Sequence, residues 1–580
     1  MDEQMMKQMF GQISERIEME LPTPTHEFGY HEDVLVEMSD DVKLKTRVFF
    51  PKGDGPWPVI LMRNPYFGVK ALSEFQLPWF TKYGYVGVYQ QVRGTLDSEG
   101  EWLPFENERR DGLDTVNWIV KQSWMNGNIG TFGGSYLGHV QWSIADQVPP
   151  EVKTMYFSIY GGEPYDLFYM NGMFKQDLWT KWAVEMRPGG NDNLTPVEKS
   201  EEAMHVNPHI EMDQQLFGQE LPWYRNWITN PGPGSAYWNT GFWSEFKEVA
   251  GKVNIPILFQ GGWFDFFLKS GINSFQNLPE KTRKESRFII GPWHHANMPA
   301  GELDYPNESV LGMFQIKSAL EWFDHHLKGN SYPHRKGVAE TYVIGEGVWK
   351  NWEDWIQPTG TRKLFLKASN KTNSQIGILD NQNSEQSESI SYKYDPNAPV
   401  PSKGGANIYA NPADPNGAAS VCSVVQDEPA TRKDVITFIS APLEEDLRIA
   451  GSIKVRLSVS SDAEDTAFTA KVMEIFPDGK AYNIQDSIST LAYRNGALQP
   501  LDYCPGELVE VDLELLSTTW TVKRGSRIRL DVSSSNFPAF HVHPNVSGIW
   551  SLQQEKKIAE QTLHIGGVCP SYVEIPYSDS

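Results

Sequence analysis

The sequence predicts an α/β domain on a mostly parallel sheet, broken by an inserted helical cap and followed by a C-terminal all-β jelly-roll sandwich. Three observations predict it. Short apolar runs alternate with helical patterns over 1–162 and again over 251–358, which implies parallel strands covered on both faces. Residues 163–250 are rich in Trp, Met, Phe and Gly at helical spacing, without a run of strands. From 359 to 580 the apolar pattern has period two with frequent turns, the mark of a sandwich.

The elements follow in order. Met6, Met9, Phe10, Ile13 and Ile17 fall at helical spacing and predict an amphipathic helix packed on the body. VLVEM (34–38), an SDD turn and VKLKTRVFF (42–50) read as a hairpin. WPVILMRNPY (57–66), YVGVYQQVRG (85–94), NIGTFGG (128–134) and VKTMYFSIYGG (152–162) read as buried strands, with a helix from about Arg110 to Lys121. VNIPILFQGGW (253–263) and SRFIIGPWHH (286–295) resume the pattern, and a long helix is expected from about Val310 to Leu327. Segment 368–420, rich in Asn, Ser, Gly and Pro, reads as a long loop leading into the sandwich.

Bulk properties narrow the function. A formal net charge of −23 over 580 residues disfavours nucleic acid and anionic membranes as partners. No apolar run reaches the ~20 residues of a membrane span, and the acidic first stretch is not a signal peptide. Three dispersed cysteines, Cys422, Cys504 and Cys569, suggest neither a disulfide framework nor a metal knuckle. They favour a reducing compartment, hence the cytoplasm. No cofactor or metal is expected; a small-molecule substrate is, and a homo-oligomer is compatible with the sequence.

The chemistry concentrates at strand ends. Gly133-Gly134-Ser135-Tyr136-Leu137-Gly138 joins a strand to a helical pattern, the context of a nucleophile elbow, where small residues must flank the serine. The Tyr136 amide then points where an oxyanion would form. Leu137 stands where the usual pentapeptide has its second glycine, and a glycine-rich turn with Ser135 as a helix N-cap is the competing reading. Asp265 follows the strand ending Gly261-Gly262-Trp263-Phe264, and His294-His295 follow Gly291-Pro292-Trp293. The order Ser, Asp, His is that of α/β-hydrolases. A neutral hydroxyl needs a base, and the imidazole needs a carboxylate to fix its tautomer.

These segments resemble the cocaine-esterase-like hydrolases, a group that includes α-amino-acid ester hydrolases, glutaryl-cephalosporin acylases and X-prolyl dipeptidyl-peptidases. The resemblance runs through Arg63-Asn64-Pro65-Tyr66, Gln91-Val92-Arg93-Gly94, Ser98-Glu99-Gly100, the G-x-S-Y-x-G elbow, G-G-W-x-D, G-P-W-x-H, Ser533-Ser534-Ser535-Asn536-Phe537-Pro538 and His564 with Pro570-Ser571. It implies Ser135 as nucleophile, Asp265 as orienting acid and His295, rather than His294, as base. It also implies that the Tyr66 phenol joins the Tyr136 amide in the oxyanion hole; from the residues alone Tyr66 is an ordinary core tyrosine.

Departures from the group inform the substrate. Gln91 replaces a frequent acid, so Arg93 must pair elsewhere. Phe266 and Phe267 stand where α-amino-acid ester hydrolases carry two acids, which implies an apolar acyl pocket. Phe267 is the first candidate to line it, with Trp179 and Trp182 behind; core packing of the cap is the competing role for both tryptophans. The expected activity is cleavage of a carboxylic ester or amide through an acyl-enzyme. An acylase or dipeptidyl-peptidase, a non-catalytic binding protein and a carbohydrate-binding sandwich are the alternatives. His325-His326, His541 with His543, and the glycine-rich stretch 404–417 read as structural.

Overall fold

The structure, a computed structural model, describes residues 15–66, 76–189, 197–312, 315–369, 375–407 and 421–579. Its first sheet contains β1 (Phe28–Glu37), β2 (Lys43–Pro51), β3 (Trp57–Asn64), β4 (Val86–Gln91), β5 (Met125–Gly134) and β6 (Val152–Ser158). After the short cap ribbon of β7 (Tyr169–Met170) and β8 (Met173–Phe174), it resumes with β9 (Ile257–Phe264), β10 (Arg287–His294), β11 (Val338–Val343) and β12 (Val348–Glu353). The sheet order is β1-β2-β4-β3-β5-β6-β9-β10-β11-β12. From β4 to β11 all neighbours are parallel, and the predicted β1–β2 hairpin pairs Glu37 with Lys43.

The strand text explains why the sheet is covered twice. In β3, Val59 and Leu61 pack with Val116 and Ile119 of α1 (Glu108–Val120) on one face. Ile60 and Met62 point the other way, toward Trp322 and Phe323 of the helix Ile316–Lys328. Alternate side chains thus feed two cores, as a near-continuous apolar run requires. That last helix begins at Ile316 rather than near Val310, because Gln315 has left-handed backbone (φ 63°) at the cap position. Of the predicted N-terminal helix, residues 15–20 are helical and Ile17 is buried with Phe49 and Leu77, while Met6, Met9, Phe10 and Ile13 lie outside the described residues.

Between β6 and β9 the regular elements among the described residues are helices, apart from the β7–β8 ribbon. The second sheet, from β13 (Gly360–Lys367) to β25 (Tyr572–Tyr577), forms the sandwich. Segment 368–420 is not the continuous loop expected. Ile376–Asp380 and Glu388–Tyr394 are strands, the second pairing with Ala559–Ile565. In ESISYKY the residues Ile390, Tyr392 and Tyr394 alternate inward, a period-two signal masked by the surrounding polar composition. Residues 408–420 lie outside the described residues.

The sandwich closes on the other two parts through hydrogen bonds that each engage a main-chain group. The Phe174 amide donates to His541 Nδ1 (3.0 Å), Asp177 N to Pro538 O (2.8 Å), and the Gln485 amide side chain to Trp263 O (2.6 Å). The three cysteines are free.

Candidate active site

Ser135 stands between the end of β5 and α2 (Tyr136–Trp142), with φ 56° and ψ −126°. A non-glycine residue at positive φ is strained and persists only where its surroundings impose it. Here the Ser135 amide donates to Ser158 O of the neighbouring strand (3.1 Å), while its carbonyl accepts from the Gly138 and His139 amides and starts the helix. A Cβ on Gly134 would lie 2.3 Å from Ser158 Oγ, so the turn closes only on glycine there. Ser135 is therefore part of a strained strand-to-helix elbow.

β3 and β5 are adjacent and parallel, with β4 on the far side of β3. The chain reverses its direction of travel across the sheet at that point, which opens a crevice at the strand ends. Tyr66 leaves β3 into this crevice beside Ser135. Its phenol oxygen accepts the Trp182 indole N–H (3.2 Å) and is within hydrogen-bonding reach of the Ser135 hydroxyl and the Tyr136 amide. Burial pushes its pKa up to about 12, so it is a neutral O–H donor.

Asp265 and His295 come from the ends of β9 and β10. A Cβ on Gly262 would lie 2.1 Å from Trp293 O, so only glycine lets these two strand ends close together. His295 Nε2 is 2.9 Å from Ser135 Oγ, and His295 Nδ1 is 3.0 Å from Asp265 Oδ1. The same Asp265 oxygen accepts the Phe267 amide (3.0 Å). His294 points elsewhere: its Nδ1 faces the Ala296 amide, and burial pushes its pKa down to about 4. Of the paired histidines, His295 is the one brought to the serine.

Phe267 lies edge-on to His295 (5.4 Å) and to Tyr160 (5.2 Å), and is buried. Trp179 sits behind it, 6.1 Å away, with its indole N–H on Leu167 O. Trp182 reaches further in, its ring parallel to Tyr136 and its N–H on Tyr66. Arg93 finds its partners in Asp111 (2.7 Å) and Asp40 (2.9 Å), far from the serine in sequence and role. His543 pairs with Asp465, and His541 accepts a backbone amide.

Three contacts go beyond the sequence-based expectation, the first of them made by Phe266, already expected beside the acyl pocket. Phe266 covers the face of His295, 4.4 Å between centroids. Lys175, buried in the cap, donates to Asp166 O (2.5 Å) and Phe266 O (2.8 Å), and burial pushes its pKa down to about 8. It borders a cavity of about 290 Å³ lined also by Asp166, Phe266, Lys269, Asn273 and Glu514. Glu108 accepts the Tyr136 phenol (2.9 Å). No local pattern announces a lysine or glutamate facing a strand end.

Two family signatures match the chain: X-Pro dipeptidyl-peptidase (S15 family) over residues 40–297, and the X-Pro dipeptidyl-peptidase C-terminal non-catalytic domain over 325–574. The cocaine esterase of Rhodococcus sp. (strain MB1 Bresler) is 31% identical, with 94% of this chain and 98% of that one aligned. The chain belongs to the CocE/NonD and X-Pro dipeptidyl-peptidase (S15) family of α/β-hydrolases. It is accordingly a serine hydrolase, an esterase or peptidase. The likeness of fold extends over nearly all of the chain. An aminopeptidase from a marine sediment Thaumarchaeota archaeon superimposes with a TM-score of 0.80 at 22% identity, covering 96% of this chain and 97% of that one. An α-amino acid ester hydrolase gives 0.79 at 21%, covering 96% and 98%. A CocE/NonD family hydrolase from Staphylococcus aureus gives 0.65 at 18%, covering 94% and 93%.

Proposed function

We propose that this family member cleaves a carboxylic ester with an apolar acyl group through an acyl-enzyme on Ser135. The observation that carries the reading is the relay from Ser135 Oγ through His295 to Asp265, with contacts of 2.9 and 3.0 Å. Ser135 Oγ attacks the acyl carbon as His295 Nε2 takes its proton. Asp265, acceptor to Nδ1, holds the tautomer and offsets the imidazolium charge. The Tyr66 O–H and the Tyr136 N–H receive the oxyanion, each worth ~10²–10³ in kcat. His295 then protonates the leaving alkoxide, and water releases the acid by the same route reversed.

The ester preference and the apolar pocket rest on aromatic groups around the relay. Phe266 and Phe267 follow Asp265 directly, and Trp182 flanks Tyr66, with Trp179 behind Phe267. The likeness to an esterase by name at 31% identity supports the same choice over an acylase or dipeptidyl-peptidase.

Hydrolysis of p-nitrophenyl acetate, butyrate and benzoate, with an α-amino acyl ester and an X-prolyl anilide alongside, tests the reading in wild type and Ser135→Ala. Burst release by wild type alone, with benzoate or butyrate preferred, is the expected result. Equal turnover by Ser135→Ala removes the nucleophile assignment, and preference for the anilide moves the activity to peptidase.

A further inference from the structure

The two oxyanion donors approach the reacting carbonyl from different strands. Tyr66 follows β3 and Tyr136 follows β5, so their separation depends on what ties those strand ends together. A buried ion pair does so. Arg63, the penultimate residue of β3 and three before Tyr66, places Nη1 2.8 Å from Glu108 Oε2, and both side chains are almost wholly buried. Glu108 opens α1 and uses its other oxygen, Oε1, to accept the Tyr136 phenol at 2.9 Å. That phenol oxygen in turn accepts the Phe105 amide (2.9 Å). Arg63 is held from its far side by Gln90, which accepts its Nε–H at 2.8 Å.

The Tyr66 end is fixed as tightly. The Asn64 side chain brackets that tyrosine, its Nδ2 donating to Tyr66 O (3.0 Å) and its Oδ1 accepting the Tyr66 amide (3.1 Å). The chain from Tyr66 through Asn64, Arg63 and Glu108 to Tyr136 is therefore continuous in covalent bonds and short polar contacts. A buried ion pair contributes little net stability, because desolvating both charges offsets their attraction. What it supplies is fixed geometry, since neither partner can move without leaving the other's charge unpaired.

Resting on the oxyanion reading above, we propose that Glu108, paired with Arg63, is a positioning residue that holds the Tyr136 amide in register with the Tyr66 phenol. The Tyr136 side chain is then a tether and its backbone the donor. Glu108 touches no reacting atom, so its effect falls on the transition state and not on substrate binding.

The test compares Tyr136→Phe, Glu108→Gln, the double variant and Tyr66→Phe, using p-nitrophenyl butyrate turnover and inhibition by an aryl boronic acid, a tetrahedral adduct former at serine. Tyr136→Phe keeps the amide and loses only the tether. Since a small misplacement costs up to about 10²-fold, kcat is expected to fall about 10- to 100-fold with KM little changed. Boronate affinity should weaken by a similar factor. Glu108→Gln should act in the same direction, and the double variant should be no worse than the poorer single, because both cut one connection.

Tyr136→Phe with wild-type kcat and boronate affinity overturns the proposal, as does a loss confined to KM. If Tyr66→Phe is impaired in the same assays, the oxyanion reading survives that failure; if Tyr66→Phe is also unchanged, the reading itself falls. Should Glu108→Gln not fold, Tyr136→Phe decides alone.

Discussion

The Phe266 ring lies over the His295 imidazole, with centroids 4.4 Å apart and planes 26° apart. The residue next to the acid that holds one imidazole nitrogen thus also covers the ring's face. Asp265 fixes the rotation of the imidazole about its own bonds, and Phe266 fixes its plane.

Removing that cover should loosen the base without moving its partners. An aromatic contact of this kind contributes about 0.5–1.5 kcal/mol, so Phe266→Ala is expected to lower kcat by up to about tenfold. Phe266→Tyr, which keeps the ring, should stay near wild type. Steady-state kinetics at saturating ester measure this, and an unchanged kcat in Phe266→Ala would remove the role assigned to the ring.

The junction between cap and sandwich should weaken in acid. His209 and His541 lie along the Trp550 indole, 5.1 and 4.1 Å between centroids. Burial pushes the His209 pKa down to about 4, with Asp213 opposing and Lys556 assisting. Burial, with His543 and His209 nearby, holds His541 well below the ordinary range. Between about pH 6.5 and 4 the unfolded chain binds protons at these sites that the folded chain excludes, so stability falls as pH falls. The difference is worth up to about 1.4 kcal/mol per pH unit for each histidine. Thermal unfolding from pH 7.5 to 4.5 should show a steeper decline in wild type than in His209→Gln/His541→Gln. Parallel curves would mean that carboxylates elsewhere dominate the acid response.

The elbow should not tolerate a methyl group. In Gly134→Ala the added Cβ would meet Ser158 Oγ at 2.3 Å and Ile159 Cγ1 at 2.9 Å. Relieving that contact costs about 1–3 kcal/mol and displaces Ser135. The expected outcome is a lower unfolding midpoint together with slower labelling by a fluorophosphonate. Wild-type labelling would show that the elbow can shift without losing its geometry.

The elements that meet at Ser135 were legible because each occupies a strand end with a local signature. G-G-S-Y-L-G, G-G-W-F-D and G-P-W-H-H place Ser135, Asp265 and His295 after glycines that the sequence displays openly. The parallel sheet was legible for the same local reason, as β3 and β9 are apolar almost throughout. What stayed hidden is long-range pairing. Arg93 meets Asp111 and Asp40, 18 and 53 residues away, and nothing near Gln91 points to either. Lys175 reaches Phe266 O from a cap 91 residues upstream. Polar partners across a fold leave no periodic trace in one chain. The strand Glu388–Tyr394 was hidden differently, by serine and lysine on its outer face.

The Trp182 indole that donates to Tyr66 belongs to the cap helix Gln176–Met186, not to the sheet that carries Ser135, Asp265 and His295. The acidity of the phenol is thereby wired to the roof of the site. If the phenol serves the oxyanion as proposed, an acyl group that displaced this helix would take away the Trp182 donor that polarises it. Selectivity of that kind would register as a slow reaction of a well-bound ester, a proofreading of shape carried out by a single nitrogen-bound hydrogen.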